Sequence, residues 1–340
     1  MDFFPRLLGN DGIKSRIGSA IRRGKVPHAF LIDGPSGSGK TTLALEIAAA
    51  LNCEAGIASS PCGKCNTCRR IYKGEYVDVK TLKRGDDRAT IGVAEIKEFR
   101  QDAFLSATEA EYKIYVIDDA EKLTPEAQNA LLILLEEPPK GVVIMLLANG
   151  CDRILTTIKS RAQYLPLSRF TRGELEEHLR ALSSDAERMA KEDRERFDVI
   201  LTEADGVLGR ALELTDALRS RTLMDERSLI VDFINSLGTR NGYSAVYSAI
   251  SAFPTKRQEL THVLEAVMTA LADMITVRRA EDAPTLFFSN SRSALEAGGE
   301  LSERYLLAVY DAVLQSHDEL NKNAGVAALL TTLAARVKLL

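Results

Sequence analysis

The 340-residue chain is short of several things, and each shortage closes off a class of function. No apolar run approaches the roughly 20 residues that a membrane-spanning helix needs. The opening residues, Met1-Asp2-Phe3-Phe4-Pro5-Arg6, lack the basic-then-apolar order of a secretory leader, so a cytoplasmic location is expected. Positive charge is not in surplus: 44 Lys and Arg stand against 48 Asp and Glu, a formal net charge of −4. Strong DNA binding by the isolated chain is therefore not expected, although helix N-termini and a few basic side chains could follow a phosphate backbone inside an assembly. Internal repeats and low-complexity tracts are missing. His28, His178, His262 and His317 are scattered and are read as packing or surface residues.

What remains is an ordinary globular composition, 45% hydrophobic and 27% charged, long enough for two or three domains. Its most informative stretch is Gly34-Pro35-Ser36-Gly37-Ser38-Gly39-Lys40-Thr41, which fits G-x-x-x-x-G-K-[ST]. An apolar run, Ala29–Ile32, precedes it and a helix-like run, Thr42–Leu51, follows it. A strand that feeds a glycine-rich turn and opens a helix is the context in which this pattern binds nucleotide. Gly34, Gly37 and Gly39 let the backbone approach phosphate, and the helix N-terminus beginning at Thr42 offers N–H groups and a positive dipole end. Lys40 is expected to reach the outer phosphates and the Thr41 hydroxyl to face Mg²⁺.

Up to residue 168 the chain alternates strand-like segments (29–32, 76–82, 113–117 and 142–147) with helix-like ones (11–23, 42–51, 93–104 and 125–135). This alternation predicts an α/β domain with a mostly parallel sheet covered on both faces. Beyond Phe170 the strand signal fades. Thr171-x-x-Glu174 reads as a capping box before Leu175, Leu179 and Leu182, and two further apolar stripes begin at Phe197 and Leu208. A separate helical block starts near residue 220. In it Thr255-x-x-Gln258 is expected to cap a helix carrying Leu260, Val263, Leu264, Val267, Met268, Leu271 and Ile275. Leu306, Val309, Val313 and Leu320 mark another helix, Val326–Leu340 a last one, and 280–299 is expected to hold an exposed loop.

Two more groups carry chemistry. The apolar run Ile114–Ile117 ends in Asp118-Asp119, so Asp118 at the strand tip could hold Mg²⁺ directly or through water. Asp119 could polarise an attacking water, although its carboxylate is one methylene shorter than the Glu of many ring ATPases. Two solvated acids capping the next helix are the alternative. Cys53, Cys62, Cys65 and Cys68 follow C-x8-C-x2-C-x2-C, a spacing that aims four thiolates at one tetrahedral Zn²⁺ and leaves no position for water. Arg69 and Arg70 could offset the charge of that centre; buried free thiols are the alternative. Cys151 stands apart as an ordinary thiol.

Together with the phosphate loop and the Cys₄ insertion, the segments Pro27-His28-Ala29, Asp118-Asp119-Ala120-Glu121-Lys122-Leu123, Asn129-Ala130-Leu131-Leu132, Leu135-Glu136-Glu137-Pro138-Pro139 and Ser160-Arg161 resemble one family. This family is the bacterial clamp-loader subunits of the AAA+ class, the delta-prime and gamma/tau subunits of DNA polymerase III. The resemblance spans the first 215 or so residues and continues faintly through Leu320-Asn321-Lys322-Asn323-Ala324. It implies an AAA+ RecA-like parallel-sheet domain over 1–168 with a zinc module at 53–68, a three-helix lid over 169–218, and an all-α collar over 219–340. It also implies a heteropentameric ring with gamma/tau and delta subunits that loads a sliding clamp onto primed DNA. Carried over by residue, Asn149 holds the sensor-1 position, and Arg161, in Ser-Arg-Ala rather than Ser-Arg-Cys, acts in trans on a neighbour's ATP.

Three departures favour delta-prime over a gamma motor. The lid arginine of gamma would fall on Gly209, while Arg210 sits about 100° further round the helix. Asp119 replaces Glu, and the chain lacks the long tail of a tau protein. Arg210 is kept among the expected nucleotide-binding residues, and ATP hydrolysis by this chain stays open.

Overall fold

A computed structural model describes residues 3–56, 61–85, 89–238, 242–281, 283–299 and 301–339. It divides into two compact units, Met1–Phe170 and Thr171–Leu340.

In the first unit the elements run α1 (Asp11–Arg22), β1 (Ala29–Asp33), α2 (Lys40–Leu51), α3 (Asn66–Lys73), β2 (Val79–Leu82), α4 (Val93–Ala103), β3 (Lys113–Ile117), α5 (Pro125–Glu136), β4 (Val142–Ala148), α6 (Thr156–Lys159) and β5 (Gln163–Pro166). The strands form one parallel sheet in the order β2-β3-β4-β1-β5. Because the middle of a parallel sheet is buried on both faces, β1, β3 and β4 read as apolar runs whose alternate residues serve different cores. Phe30, Ile32, Ile114, Val116, Met145 and Leu147 pack with Ile17 of α1, Leu43 and Ile47 of α2 and Ile71 of α3. Leu31, Tyr115, Ile117, Ile144 and Leu146 pack with Ile96 of α4, Leu131 and Leu134 of α5 and Ile158 of α6. Phe30 is fully buried, so its truncation to Ala should cost about 3–5 kcal/mol.

The register places three strand ends side by side. Asp33 at the end of β1 pairs with Ala148 at the end of β4, and Ile117 of β3 pairs with Leu146 of β4. The phosphate loop after β1, Asp118 after β3 and Asn149 after β4 thus all leave the same carboxyl edge, where open α/β sheets bind ligands. Differences from the sequence reading are local. The segment read as a strand from 76 pairs only from Val79, because the buried Asp78 carboxylate turns aside to accept the N–H groups of Thr108, Glu109 and Ala110. Strand β5 has no sequence signal, being four residues with mixed exposure, and exists because β1 offers it an edge.

The second unit holds α7 (Arg172–Leu182), α8 (Ser184–Glu192), α9 (Arg194–Ala204), α10 (Leu208–Leu214), α11 (Ala217–Leu237), α12 (Gly242–Ser251), α13 (Arg257–Arg279), α14 (Ser291–Gly298), α15 (Glu303–Asn321) and α16 (Val326–Lys338). The capping box forms as read: the Thr171 side chain accepts the Glu174 N–H, while Glu174 accepts the Thr171 N–H at 2.9 Å. The three apolar stripes become α7, α9 and α10. Helix α8 lies between the first two with Ala186 as its buried residue, too little apolar signal to announce it. The cap expected at Thr255 is corrected: α13 begins after Lys256, with no side-chain cap. The stripe on α13 is buried as expected except Met268, which is partly buried. Within 280–299, Ser291–Gly298 is helical and Phe287 and Phe288 are buried, so much of this segment is packed rather than exposed. Leu340, assigned to the last helix, lies outside the described residues.

By length and composition α13 could cross a membrane, and half of its most apolar stretch is buried within its own unit. Glu265 and Asp273 interrupt any continuous apolar run in it. Asp273 is itself buried and accepts the N–H groups of Leu286, Phe287 and Phe288, tying the following loop to the helix. A helix packed along one face and anchored by a buried carboxylate is a core helix.

Candidate nucleotide site and candidate metal centre

The loop between β1 and α2 is built by glycines where its backbone requires them. Gly37 and Gly39 sit at φ 84° and 96°, in the left-handed region that other residues enter at a cost. Gly39 is the N-cap of α2 and has no side chain to cap it, so the first-turn N–H groups remain available to an anion. A cavity of about 310 Å³ opens at this point. Lys40, Thr41, Thr42, Asp118, Asp119 and Asn149 line it together with Gly37 and Gly39. The fold therefore gathers into one place residues that the sequence presents in three separate segments. Gly34 contributes from below: its carbonyl accepts Lys40 Nζ at 2.8 Å.

Lys40 is only 7% exposed and spends all three of its N–H groups within the protein. The other two go to the Pro35 carbonyl at 3.0 Å and to Asn149 Oδ1 at 2.7 Å. Burial lowers the Lys40 pKa, and the charges of Asp118, Glu121, Asp119 and Asp33 partly offset that shift. A cationic head facing four carboxylates stays charged while remaining ready to exchange a neutral acceptor for a phosphate oxygen. Asp119 adopts φ 53°, a left-handed conformation, and its carboxylate accepts Asn149 Nδ2 at 3.2 Å. The two acids after β3 are thus part of the cavity wall rather than a solvated helix cap.

Two functional residues escaped the sequence reading. Glu121 is 9% exposed and receives both the backbone N–H and the side-chain NH₂ of Asn149 at 3.1 Å. Asp33 receives the Gly150 N–H at 2.9 Å and the Tyr164 hydroxyl at 2.7 Å, fixing the same turn from the other side. That hydrogen bond from Tyr164 pushes its pKa up to about 12. Burial, then the Asp33 charge, pushes Cys151 up to about 12, as befits an unreactive thiol. An acid ending strand β1 was the available signal for Asp33; Glu121 stood within the resembling segment 118–123 but was given no role there.

Arg161 does not line the cavity. It stands exposed on the turn between α6 and β5, paired with Glu136 at 2.8 Å and bonded to the Thr157 carbonyl at 3.1 Å. Arg210 belongs to the second unit, where it pairs with Glu203.

The four cysteines converge. Their Sγ atoms all lie within 4.8 Å of one another, compared with the roughly 3.8 Å between sulfurs that a tetrahedron of ~2.3 Å Zn–S bonds requires. The backbone N–H groups of Cys62, Cys65 and Cys68 point at the sulfurs of Cys53, Cys62 and Cys65, at 3.4, 3.4 and 3.3 Å. Backbone N–H groups of Lys64 and Cys65 bring the Cys62 thiol down to about 6, whereas burial pushes Cys53 and Cys68 up. Four converging sulfurs met by backbone amides, with Cys53 and Cys68 buried and Cys62 and Cys65 half-buried, fit a structural Zn²⁺. Glu54 locks the knuckle by accepting the Thr67 N–H and hydroxyl. Arg70 does not serve the sulfurs; it pairs with Glu109 at 2.8 Å and lies over the Tyr76 ring. The module is joined to the phosphate-loop helix through Tyr72 of α3, whose hydroxyl donates to the fully buried Glu46 of α2 at 2.6 Å.

Comparison with known proteins agrees with this construction. Residues 9–171 match the family described as DNA polymerase III, delta subunit. The DNA polymerase III subunit gamma of Buchnera aphidicola (from Schizaphis graminum) is 36% identical over 165 residues, covering 48% of this chain and 45% of that protein. The subunit tau of Bacillus subtilis is 33% identical over 213 residues, covering 63% of this chain and 37% of that one, and the Escherichia coli tau is 30% identical over the same length. The chain thus spans less than half the length of these curated relatives. Among solved structures, the Thermotoga maritima RuvB Holliday junction branch migration motor is similar at 17% identity and a TM-score of 0.44, over 93% of this chain and 91% of that one, too loose a likeness to carry an argument.

Proposed function

We propose that this chain, whose residues 9–171 match that family model, is a delta-prime-like subunit of the DNA polymerase III clamp loader. In this reading it binds ATP and, in a ring with gamma/tau and delta subunits in the cytoplasm, helps load the sliding clamp onto primed DNA. Residues 1–168 are its AAA+ domain, 169–218 its lid and 219–340 its collar. The observation that carries the reading is one cavity walled by Lys40, Thr41, Asp118, Asp119 and Asn149, with Arg161 outside it on an exposed turn.

In the bound state the N-terminal amides of α2 and Lys40 would hold the phosphates, and Thr41 and Asp118 would hold Mg²⁺, which spreads the phosphate charge. Asp119, which lines the cavity, would polarise the attacking water, with the shorter reach noted above. Arg161, which does not line this chain's cavity, would act on a neighbour's nucleotide. Arg210 pairs with Glu203, which favours the delta-prime assignment over a lid arginine left free for nucleotide. The Cys53, Cys62, Cys65 and Cys68 knuckle would take one structural Zn²⁺.

A second reading, a gamma-like ATPase motor, is favoured by the complete set of phosphate-loop and acidic residues around one cavity. Phosphate release by the reconstituted complex, with Lys40→Ala in this chain alone, separates the two. Unchanged turnover sinks the motor reading. Loss of all turnover, beyond one site's share, sinks the delta-prime reading.

A further inference from the structure

Asn149 is held at every polar atom of its side chain. Its two amide N–H groups go to Glu121 Oε1 at 3.1 Å and Asp119 Oδ1 at 3.2 Å, and its oxygen accepts Lys40 Nζ at 2.7 Å. An ionised carboxylate only accepts and an ammonium only donates, so the amide can face these three partners in one orientation only. Turning it over would set NH₂ against NH₃⁺ and oxygen against two carboxylates. Of the two acids, Glu121 is the buried one, and it alone also holds the Asn149 backbone N–H, at 3.1 Å. Its side chain comes from the turn directly after the acid pair and is shielded between that turn and the end of β4.

We propose that Glu121 is a positioning residue of the nucleotide site, fixing the Asn149 amide so that its oxygen, not its NH₂, faces Lys40 and the phosphate cavity. This rests on the nucleotide-binding reading above and deepens it. Asn149 then acts on bound nucleotide through the lysine, by keeping the ammonium at the head of the cavity, rather than as a donor to the terminal phosphate. A diphosphate and a triphosphate both need that lysine. Loss of the arrangement should therefore weaken ADP and ATP alike.

The test measures ADP and ATP affinities of the full chain, with Mg²⁺, by calorimetry for the wild type, Glu121→Gln, Asn149→Ala and the double variant. Glutamine preserves shape, but its NH₂ must face either the Asn149 backbone N–H or the Asn149 NH₂, so the pairing cannot be completed. Asn149→Ala should weaken both nucleotides about tenfold, the scale of one hydrogen bond to a charged group, leaving their ratio within twofold of wild type. Glu121→Gln should approach the same loss for both, and the double variant should bind no more weakly than Asn149→Ala alone. Three results overturn the proposal: wild-type affinities in Glu121→Gln, losses that multiply in the double variant, or a loss in Asn149→Ala confined to ATP. The Asn149→Ala ratio decides the orientation even if Glu121→Gln is poorly folded. Should the wild type bind neither nucleotide, the functional reading fails and takes this inference with it; if it binds both and Glu121→Gln is silent, only the inference fails.

Discussion

Arg161→Ala separates a structural arginine from one that serves another subunit. Within this chain the side chain has little to lose. Its ion pair with Glu136 is 2.8 Å long, but the two side chains are 36% and 49% exposed, and exposed pairs are worth about 1 kcal/mol or less. The accompanying hydrogen bond to the Thr157 carbonyl caps the end of a four-residue helix at the surface. The truncation should thus lower the melting temperature by no more than about 2–4 °C and leave ATP affinity of the isolated chain unchanged, since Arg161 does not line the cavity. In a reconstituted ring the expectation is the opposite in scale. An arginine supplied in trans to a transferring phosphoryl group contributes about 10³–10⁵ in rate, so hydrolysis at the adjacent site should fall by at least a thousandfold. Calorimetry on the isolated variant and single-turnover phosphate release by the ring, with only this subunit altered, measure the two sides. If nucleotide affinity at its own site collapses, or if the adjacent site hydrolyses normally, the trans role is refuted.

Three further outcomes follow from named contacts. Elemental analysis of freshly prepared, reduced protein should find about one zinc per chain and markedly less in Cys68→Ser, since the fully buried Cys68 closes the four-sulfur set; metal-free wild type would refute the centre. Burial alone would raise the Asp102 carboxyl, but hydrogen bonds from Lys80 at 2.8 Å, from Tyr115, and from Lys113 at 3.1 Å bring it down to about 2, below its ordinary 3.8. A depressed carboxylate stabilises the fold above its unfolded pKa and stops doing so as pH falls through the folded one. Asp102→Asn should therefore cost about 2 kcal/mol at neutral pH, and urea midpoints of variant and wild type should converge from pH 4 towards pH 2; a pH-independent gap would contradict this. Lys40→Ala should abolish nucleotide binding by this chain while leaving its zinc content intact, and nucleotide retention in titration calorimetry would remove Lys40 from the site.

Part of this was legible because its chemistry is contiguous. The phosphate loop, the acid pair after β3 and the cysteine spacing each lie within 16 residues or fewer. In the structure the first two line one cavity, and the four sulfurs lie within 4.8 Å of one another. Strands β1, β3 and β4 were equally plain, since burial on both faces leaves an apolar run. Elements whose existence depends on a partner were not: β5 is a strand because β1 pairs with it, and α8 has little apolar face to betray it. Thr255-x-x-Gln258 carried the local signal of a cap, yet α13 starts beyond it because a local pattern does not choose where a helix meets its core.

The amino-acid sequence by itself determined which groups are available to bind phosphate and metal, since glycine freedom, lysine charge and thiolate softness belong to the residues. Tertiary structure alone decided which of them act together. Glu121 meets Asn149 across 28 residues and Asn149 meets Lys40 across 109, contacts made because parallel strands deliver their ends to one edge. A one-dimensional spacing cannot encode which carboxylate will be dry and which amide it will hold; that follows from the register of the sheet and from the cost of burying a charge without partners.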